Sequence, residues 1–348
     1  MVKKNLKDIP LSQLKDVISE MGEPSFRVKQ LSDWLYSKCA FSVDEMTNFS
    51  KNLRAKLDEK YTAEGLEIIE RRESEDGTTK YLFRLKDDLS IEAVYIPDGE
   101  RGTACISTQV GCKFGCAFCA TGSQGFSRNL TLGEILNQFA MLKKEENMSR
   151  ERPLTNIVFM GMGEPLDNFQ NLIDSIEIFN SPEGFGIGVR RITVSTVGII
   201  PMLEKLGEMG RGVNLAVSLH AADDAIRSEI MPINKKYPVG PLMRSLALYP
   251  LRPYRQITFE VIMLKDINDS REDAGKLARA IGNLKAKVNL IVFNPSESAK
   301  YLPSPGERVV EFQKELVKSG VAAIIRKNRG GDIDAACGQL KSKYIEGK

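Results

Sequence analysis

Three thiols fall within one eight-residue stretch, Cys112-Lys-Phe-Gly-Cys116-Ala-Phe-Cys119, spaced C-x3-C-x2-C. Three thiolates from one tight loop suit a corner-bound four-iron cluster, in which each ligates one iron and the fourth iron stays open to an outside molecule. Clusters that only carry electrons take four cysteines, and no fourth lies nearby at the right spacing. A structural zinc site also wants four ligands, usually as two separated pairs. A disulfide framework belongs to small secreted scaffolds, and this longer chain shows no secretory leader. Buried cysteines without a ligand are common, but seldom as three in eight residues. An open iron is a place for chemistry.

A second stretch able to react lies near the end: Arg326-Lys-Asn-Arg-Gly-Gly-Asp332-Ile-Asp-Ala-Ala-Cys337-Gly-Gln339-Leu340. Its small and polar residues read as a flexible loop, and such loops often carry function. Cys337 among alanines and glycine reads as accessible, where a thiol can react. Cys105, seven residues before the cysteine loop, is its possible partner, and Cys39 reads as a structural cysteine in a helix. Glu92 shares a strand face with Val94 and Ile96. A carboxylate among apolar neighbours has its pKa raised and can serve as a base, whereas composition alone favours a rim glutamate pointing to water. His220 is the only histidine, which excludes a metal site built on several; taken alone it reads as a hydrogen-bonded core residue.

The elements that must hold these groups follow from periodicity. Residues 1 to about 60 read as polar helices, with Ile18, Met21, Phe26, Leu31, Trp34, Leu35, Leu53 and Leu57 at helical intervals and Gly22, Pro24 and Ser25 as breaks. This module reads either as a holder for a partner or as a solvated cap with its own small core. Residues 80–85 and 91–96 read as two strands, with a turn at Asp76-Gly77 before them and a boundary at Pro97-Asp98-Gly99. Thr131 and Glu134 form a capping-box pattern ahead of the apolar face Leu132, Ile135, Leu136, Phe139 and Leu142. Buried-strand runs then alternate with helices: 156–160, 191–195, 213–218, 256–262 and 287–293, with 321–325 as a further strand and 270–284 as one of the helices. With the strand before Cys112 these make six β/α units, a parallel sheet curled into a full or partial barrel. Polar groups gather at the C-terminal strand ends, where such a barrel builds its site: Gly161-Met-Gly163-Glu164-Pro165, Ser195-Thr196, Ser218-Leu219-His220 and Asn294-Pro295.

At 348 residues, 42% hydrophobic and 27% charged, the chain can build one large core plus a smaller attached domain. No apolar run reaches membrane-spanning length, so the chain reads as cytoplasmic, where thiols stay reduced. A net charge of +3 permits a nucleic-acid partner without arguing for one.

The C-x3-C-x2-C spacing, with Phe118 before the last cysteine, resembles that of radical S-adenosylmethionine (AdoMet) enzymes. In that superfamily the methionine part of AdoMet chelates the open iron, and an electron from the cluster breaks the sulfonium bond to give a 5′-deoxyadenosyl radical. Adding Cys105, Gly161-Met-Gly-Glu-Pro-Leu166, Ser218-Leu-His220 and Ala335-Ala-Cys-Gly-Gln-Leu340 in this order, the chain resembles the bacterial dual-specificity RNA adenine C2-methyltransferases, the RlmN family. The likeness runs from about Glu23 to Leu340. The first twenty residues and the 181–188 loop have nothing to match.

The resemblance implies an α/β fold: a radical SAM partial (β/α)6 barrel at 98–300, an N-terminal helical and β accessory domain at 1–97, and a C-terminal extension at 301–348. It implies that Cys112, Cys116 and Cys119 hold a [4Fe–4S] cluster. Gly163 and Glu164 meet the amino end of AdoMet, with Ser195, Ser218, Leu219, His220 and Asn294 lining the rest of its pocket. Two AdoMet molecules serve each turnover. One methylates Cys337; the other supplies the radical that activates this methyl group for addition to adenine C2. Glu92 is implied as the base that removes the C2 proton, and Cys105 as the thiol that forms a disulfide with Cys337 and frees the product. The implied substrates are an adenosine near the peptidyl transferase centre of 23S rRNA and one immediately 3′ of the anticodon in some tRNAs, with an electron donor such as flavodoxin and a monomeric chain. Lys3, Lys4, Arg27, Lys29, Arg326, Lys327, Arg329, Lys341 and Lys343 are candidate phosphate contacts, or equally solvated charges. The nearest rival is the sister Cfr type, which methylates C8; Pro165 after Gly-Met-Gly-Glu favours the C2 family. Methylthiolation needs more cluster cysteines than the chain has to spare, and an RNA-binding or electron-transfer protein with a non-catalytic cluster would cleave no AdoMet.

Overall fold

The computed structural model describes residues 3–149, 153–295 and 300–340. The Val, Ile and Leu runs that read as buried strands join one ten-stranded sheet. Its strands are β1 (Glu67–Glu73), β2 (Thr79–Arg84), β3 (Ser90–Asp98), β4 (Arg101–Cys105), β5 (Leu154–Phe159), β6 (Ile192–Thr196), β7 (Asn214–Ser218), β8 (Ile257–Met263), β9 (Ala286–Val292) and β10 (Ala322–Ile325). They lie side by side in chain order, with β1 and β10 at the edges. From β4 to β10 every pairing is parallel, whereas β1 to β4 pair antiparallel.

Parallel neighbours require long crossovers, and helices supply them: Leu132–Ser149, Phe169–Asn180, Ile200–Glu208, the pair Asp224–Ile230 and Val239–Leu248, Arg271–Ile281, and Gly306–Lys318. These are the six β/α units read from the sequence, with β10 as a seventh parallel strand. The capping box forms as expected: the Glu134 amide donates to Thr131 Oγ1 at 3.2 Å and the Thr131 amide to Glu134 Oε2 at 2.9 Å. The face beyond it, Leu132 to Leu142, is buried.

The first sixty residues differ from a self-contained cap. Leu14, Ile18, Leu31, Leu35, Leu53 and Leu57, on the helices Leu14–Glu20, Phe26–Ser32, Asp33–Ser37 and Lys51–Lys60, are buried in the same apolar cluster as the barrel strands. Phe26, counted in the apolar series, is 58% exposed. Cys39 lies past the end of its helix at φ +53, not within it. Strand β1 was not evident from the sequence because it is the sheet's outer edge and its Glu-Ile-Ile-Glu-Arg-Arg-Glu face is half solvated. The sheet also runs past position 97 without a break, Val94 of β3 pairing with Cys105 of β4. Among the described residues no helix is long and apolar enough to cross a membrane.

Candidate active site

The cysteine loop leaves the end of β4 and is clamped at its base by the strand pair Gln109–Gly111 and Phe126–Asn129. The Cys112 amide donates to the Gly125 carbonyl at 2.7 Å, the Cys119 amide to the Cys116 carbonyl at 3.0 Å, and the Ala117 amide to Ile230 at 2.9 Å. Cys112, Cys116 and Cys119 line one cavity over the C-terminal strand ends, holding about 930 Å³ of atom-free space with its open mouth included.

The donor set fits a cluster. Burial pushes the Cys112 thiol up to about 12 and raises Cys116 and Cys119 as well; Cys116 is raised further by its two neighbours. Sulfurs so placed become stable thiolates when a metal supplies the compensating charge. Among the described residues no three metal-binding side chains converge on one point. Three thiols rimming one cavity suit a centre in which each meets its own iron.

The same cavity takes Gly163, Glu164, Ser195, Ser218 and His220 from the ends of β5, β6 and β7. Gly163 has φ +94, and a Cβ there would sit 2.4 Å from Gln109 Cβ, so only glycine allows the turn. Glu164 is 2% exposed. It accepts from the Val197 amide at 2.8 Å and the Leu166 amide at 3.1 Å, yet burial pushes its carboxyl up to about 7. A buried carboxylate of this kind attracts an ammonium. His220 takes a left-handed backbone, φ +58, and packs edge-on against Phe118 with centroids 4.7 Å apart. Burial lowers it to about 3, and its Nδ1 accepts from the Ile262 amide, so the imidazole is neutral with its proton on Nε2. Two expected lining residues lie elsewhere. The Leu219 side chain lies in the core at 0% exposure, and its carbonyl accepts from Arg227 Nε at 3.0 Å. Asn294 pairs with Asn328 at 3.0 Å in a separate polar groove.

Cys337 lines the same cavity. Its loop is pinned rather than free: Ala120 donates to the Gly338 carbonyl at 2.7 Å and Thr121 Oγ1 to the Leu340 carbonyl at 2.6 Å. Arg326 reaches the Cys337 sulfur at 3.9 Å and Glu260 at 3.7 Å. It therefore lines this cavity as well. Cys105 is 7% exposed, and its thiol is pushed up to about 12 by burial, with the nearby Cys337 sulfur adding to the rise. All six cysteines are free thiols. Register puts Lys80, Val94 and Cys105 opposite one another on β2, β3 and β4, and therefore on one face with Glu92. Glu92 is 2% exposed and paired with Lys80 at 3.2 Å, which overturns its reading as a rim residue.

Sequence reasoning missed Glu260 and Lys80. A carboxylate inside the buried run Gln256–Ile262 was the available signal for the first. Among the other cations, Lys3 pairs with Asp58 at 3.0 Å, Arg27 with Glu23 at 3.5 Å and Arg329 with Asp76 at 3.7 Å. Lys4, Lys29 and Lys327 are exposed, and Lys341 and Lys343 lie outside the described residues.

A parallel α/β partial barrel with three loop thiols over its strand ends defines a radical AdoMet enzyme, and residues 106–278 match the Radical SAM superfamily. Residues 4–62 match the ribosomal RNA large subunit methyltransferase N-terminal domain, which extends the likeness into the first twenty residues. A dual-specificity RNA methyltransferase RlmN of Sulfurovum is 44% identical, covering 96% of each chain. Another, of Anaeromyxobacter, is 45% identical over 97% of this chain and 91% of its own. The crystal structure of a radical SAM methyltransferase from Sphaerobacter thermophilus superposes with a TM-score of 0.93 at 40% identity, covering 97% of this chain and 99% of that one. The chain belongs to the RlmN family of radical AdoMet RNA methyltransferases.

Proposed function

We propose that the chain methylates C2 of adenosine in 23S rRNA at the peptidyl transferase centre and in tRNA 3′ of the anticodon, with Cys337 as methyl carrier. The observation that carries this reading is the meeting of Cys337 with Cys112, Cys116 and Cys119 in one cavity. A [4Fe–4S] cluster held by these three thiols, with two AdoMet molecules per turnover, supplies the methyl group and the hydrogen-abstracting radical. Gly163, Glu164, Ser195, Ser218, Leu219, His220 and Asn294 are the proposed AdoMet contacts. Glu164 receives the ammonium, and Leu219 and Asn294 contribute only by backbone or after a shift, given their side-chain positions.

The Cys337 sulfur takes the first methyl group, and its carbon is later joined to adenine C2. Glu92 accepts the proton leaving C2, and the one electron left on the joined base would pass back to the cluster. Cys105 gives up its own proton and attacks the Cys337 sulfur: an S–S bond forms, the C–S bond breaks, and its electron pair stays with the departing carbon, which is then protonated. The electron donor is of the flavodoxin type, the active unit a monomer, and the compartment the cytoplasm. The relatives carry the name RlmN, which supports C2 over the Cfr-type C8 outcome.

Anaerobic reconstitution with transcribed rRNA and tRNA and a labelled AdoMet methyl group tests this, with the product nucleoside located by mass spectrometry. The expected result is label on C2 and none with Cys337→Ala. Label on C8, or transfer that survives Cys337→Ala, overturns it.

A further inference from the structure

The carrier loop is fastened to the β1–β2 hairpin. The Ser74 hydroxyl donates to Asp332 at 2.6 Å, and the Gly330 amide donates to Asp76 at 3.3 Å. The innermost tie is different in kind. Lys80 of β2 donates from Nζ to the Asp334 carbonyl at 3.0 Å, three residues before Cys337, while the same Nζ stands 3.2 Å from Glu92 Oε1. Both side chains are buried, Lys80 at 4% and Glu92 at 2% exposure. A lysine taken out of water loses hydration and rotamer freedom and must be compensated by its partners. Here those partners belong to two parts of the site, 242 positions apart in the chain.

We propose that Lys80 is a positioning residue, one that holds the base Glu92 and the Cys337 loop in register so that a single bound adenine can meet both. This rests on the roles given to Glu92 and Cys337 above. The geometry carries it: one ammonium bridges a carboxylate on β3 and a backbone carbonyl on the loop, with no freedom to serve one and abandon the other without moving the loop. Both ties are charge-assisted, the stronger class of hydrogen bond. A lysine that only filled space would need neither.

The test uses the full chain with its cluster reconstituted, comparing Lys80→Met, Lys80→Arg and the unaltered protein. Alkylation of Cys337 by iodoacetamide, followed by peptide mass spectrometry without AdoMet or RNA, reads the loop directly. Lys80→Met is expected to alkylate about tenfold faster, the size of one lost charged hydrogen bond, while Lys80→Arg, keeping the cation, stays near the unaltered rate. In turnover, Lys80→Met lowers kcat with the KM for RNA little changed, and Lys80→Arg recovers part of the loss. Alkylation and kcat for Lys80→Met within about twofold of the unaltered chain, at unchanged thermal midpoint, overturn the inference. Should Lys80→Met not fold, Lys80→Gln takes its place, and an arginine variant no better than glutamine overturns it equally. Methyl transfer absent from the unaltered chain, or retained in Cys337→Ala, refutes the underlying reading instead.

Discussion

The amide of Ala120 donates to the carbonyl of Gly338 at 2.7 Å, so the residue after Cys119 is bonded to the residue after Cys337. Two stretches more than two hundred positions apart are thus in register at the backbone, without depending on any side chain. Gly338 has φ +85, which favours glycine, although a Cβ would find its nearest neighbour at 3.6 Å. Gly338→Ala therefore meets strain, not a clash, of about 1 kcal/mol. We expect it to slow labelled-methyl loading of Cys337 several-fold more than it weakens AdoMet binding, as measured by protein-bound label and equilibrium dialysis.

Glu164 sets a pH dependence. Its carboxyl is raised to about 7 by burial, so below that pH the cavity holds a proton that must leave before an ammonium can pair with it. AdoMet affinity should be full above pH 7 and fall about tenfold per unit below it, and Glu164→Gln should weaken binding and flatten the profile. The sign for stability is opposite: a raised carboxyl favours the folded state when protonated. In the ligand-free protein this contribution is present at low pH and is lost as pH rises from about 4.5 to about 7. Calorimetric binding and thermal melts across pH 5 to about 8 check both signs.

In the proposed mechanism, the raised Cys105 thiol makes release the base-sensitive step. Cys105→Ala should accept a methyl group on Cys337 and join RNA but not let it go. A ribonuclease-sensitive band that survives denaturation is the expected product, and free methylated RNA at the unaltered rate would exclude Cys105 from release. In the unaltered chain, release should quicken as pH rises.

Arg227 is fully buried and braces the cavity wall. Its guanidinium donates to the carbonyls of Val197, Ser218, Leu219 and Tyr237 and to Asn234. Burial draws its pKa down to about 10, leaving it charged. Arg227→Met removes five donors and strands their acceptors, at a cost of about 3 kcal/mol or more. Urea denaturation should show the loss, with AdoMet binding weakened through displaced strand ends.

The barrel was legible because β5 to β9 carry Val, Ile, Leu and Phe at their buried positions, and the thiol loop because its spacing stands apart from any zinc or ferredoxin pattern. Gly163, Glu164 and His220 were placed by lying at strand ends. Other features depend on contacts that no local pattern encodes. Strand β1 looks polar because water covers its outer face. Lys80 and Glu92 look like surface charges until folding buries them together. Arg326 looks like one cation in a basic run, and its place beside Cys337 is set by where β10 ends.

The unbroken pairing across position 97 bears on what can be exchanged between relatives. Strand β4 leans on β3 as firmly as on β5, so a catalytic fragment beginning after the hairpin would carry a bare row of amides and carbonyls along its flank. Such a fragment would stick to copies of itself. The front portion is therefore no detachable adaptor, and a hybrid enzyme made by grafting another relative's leading segment must match it strand for strand or fail to stay in solution.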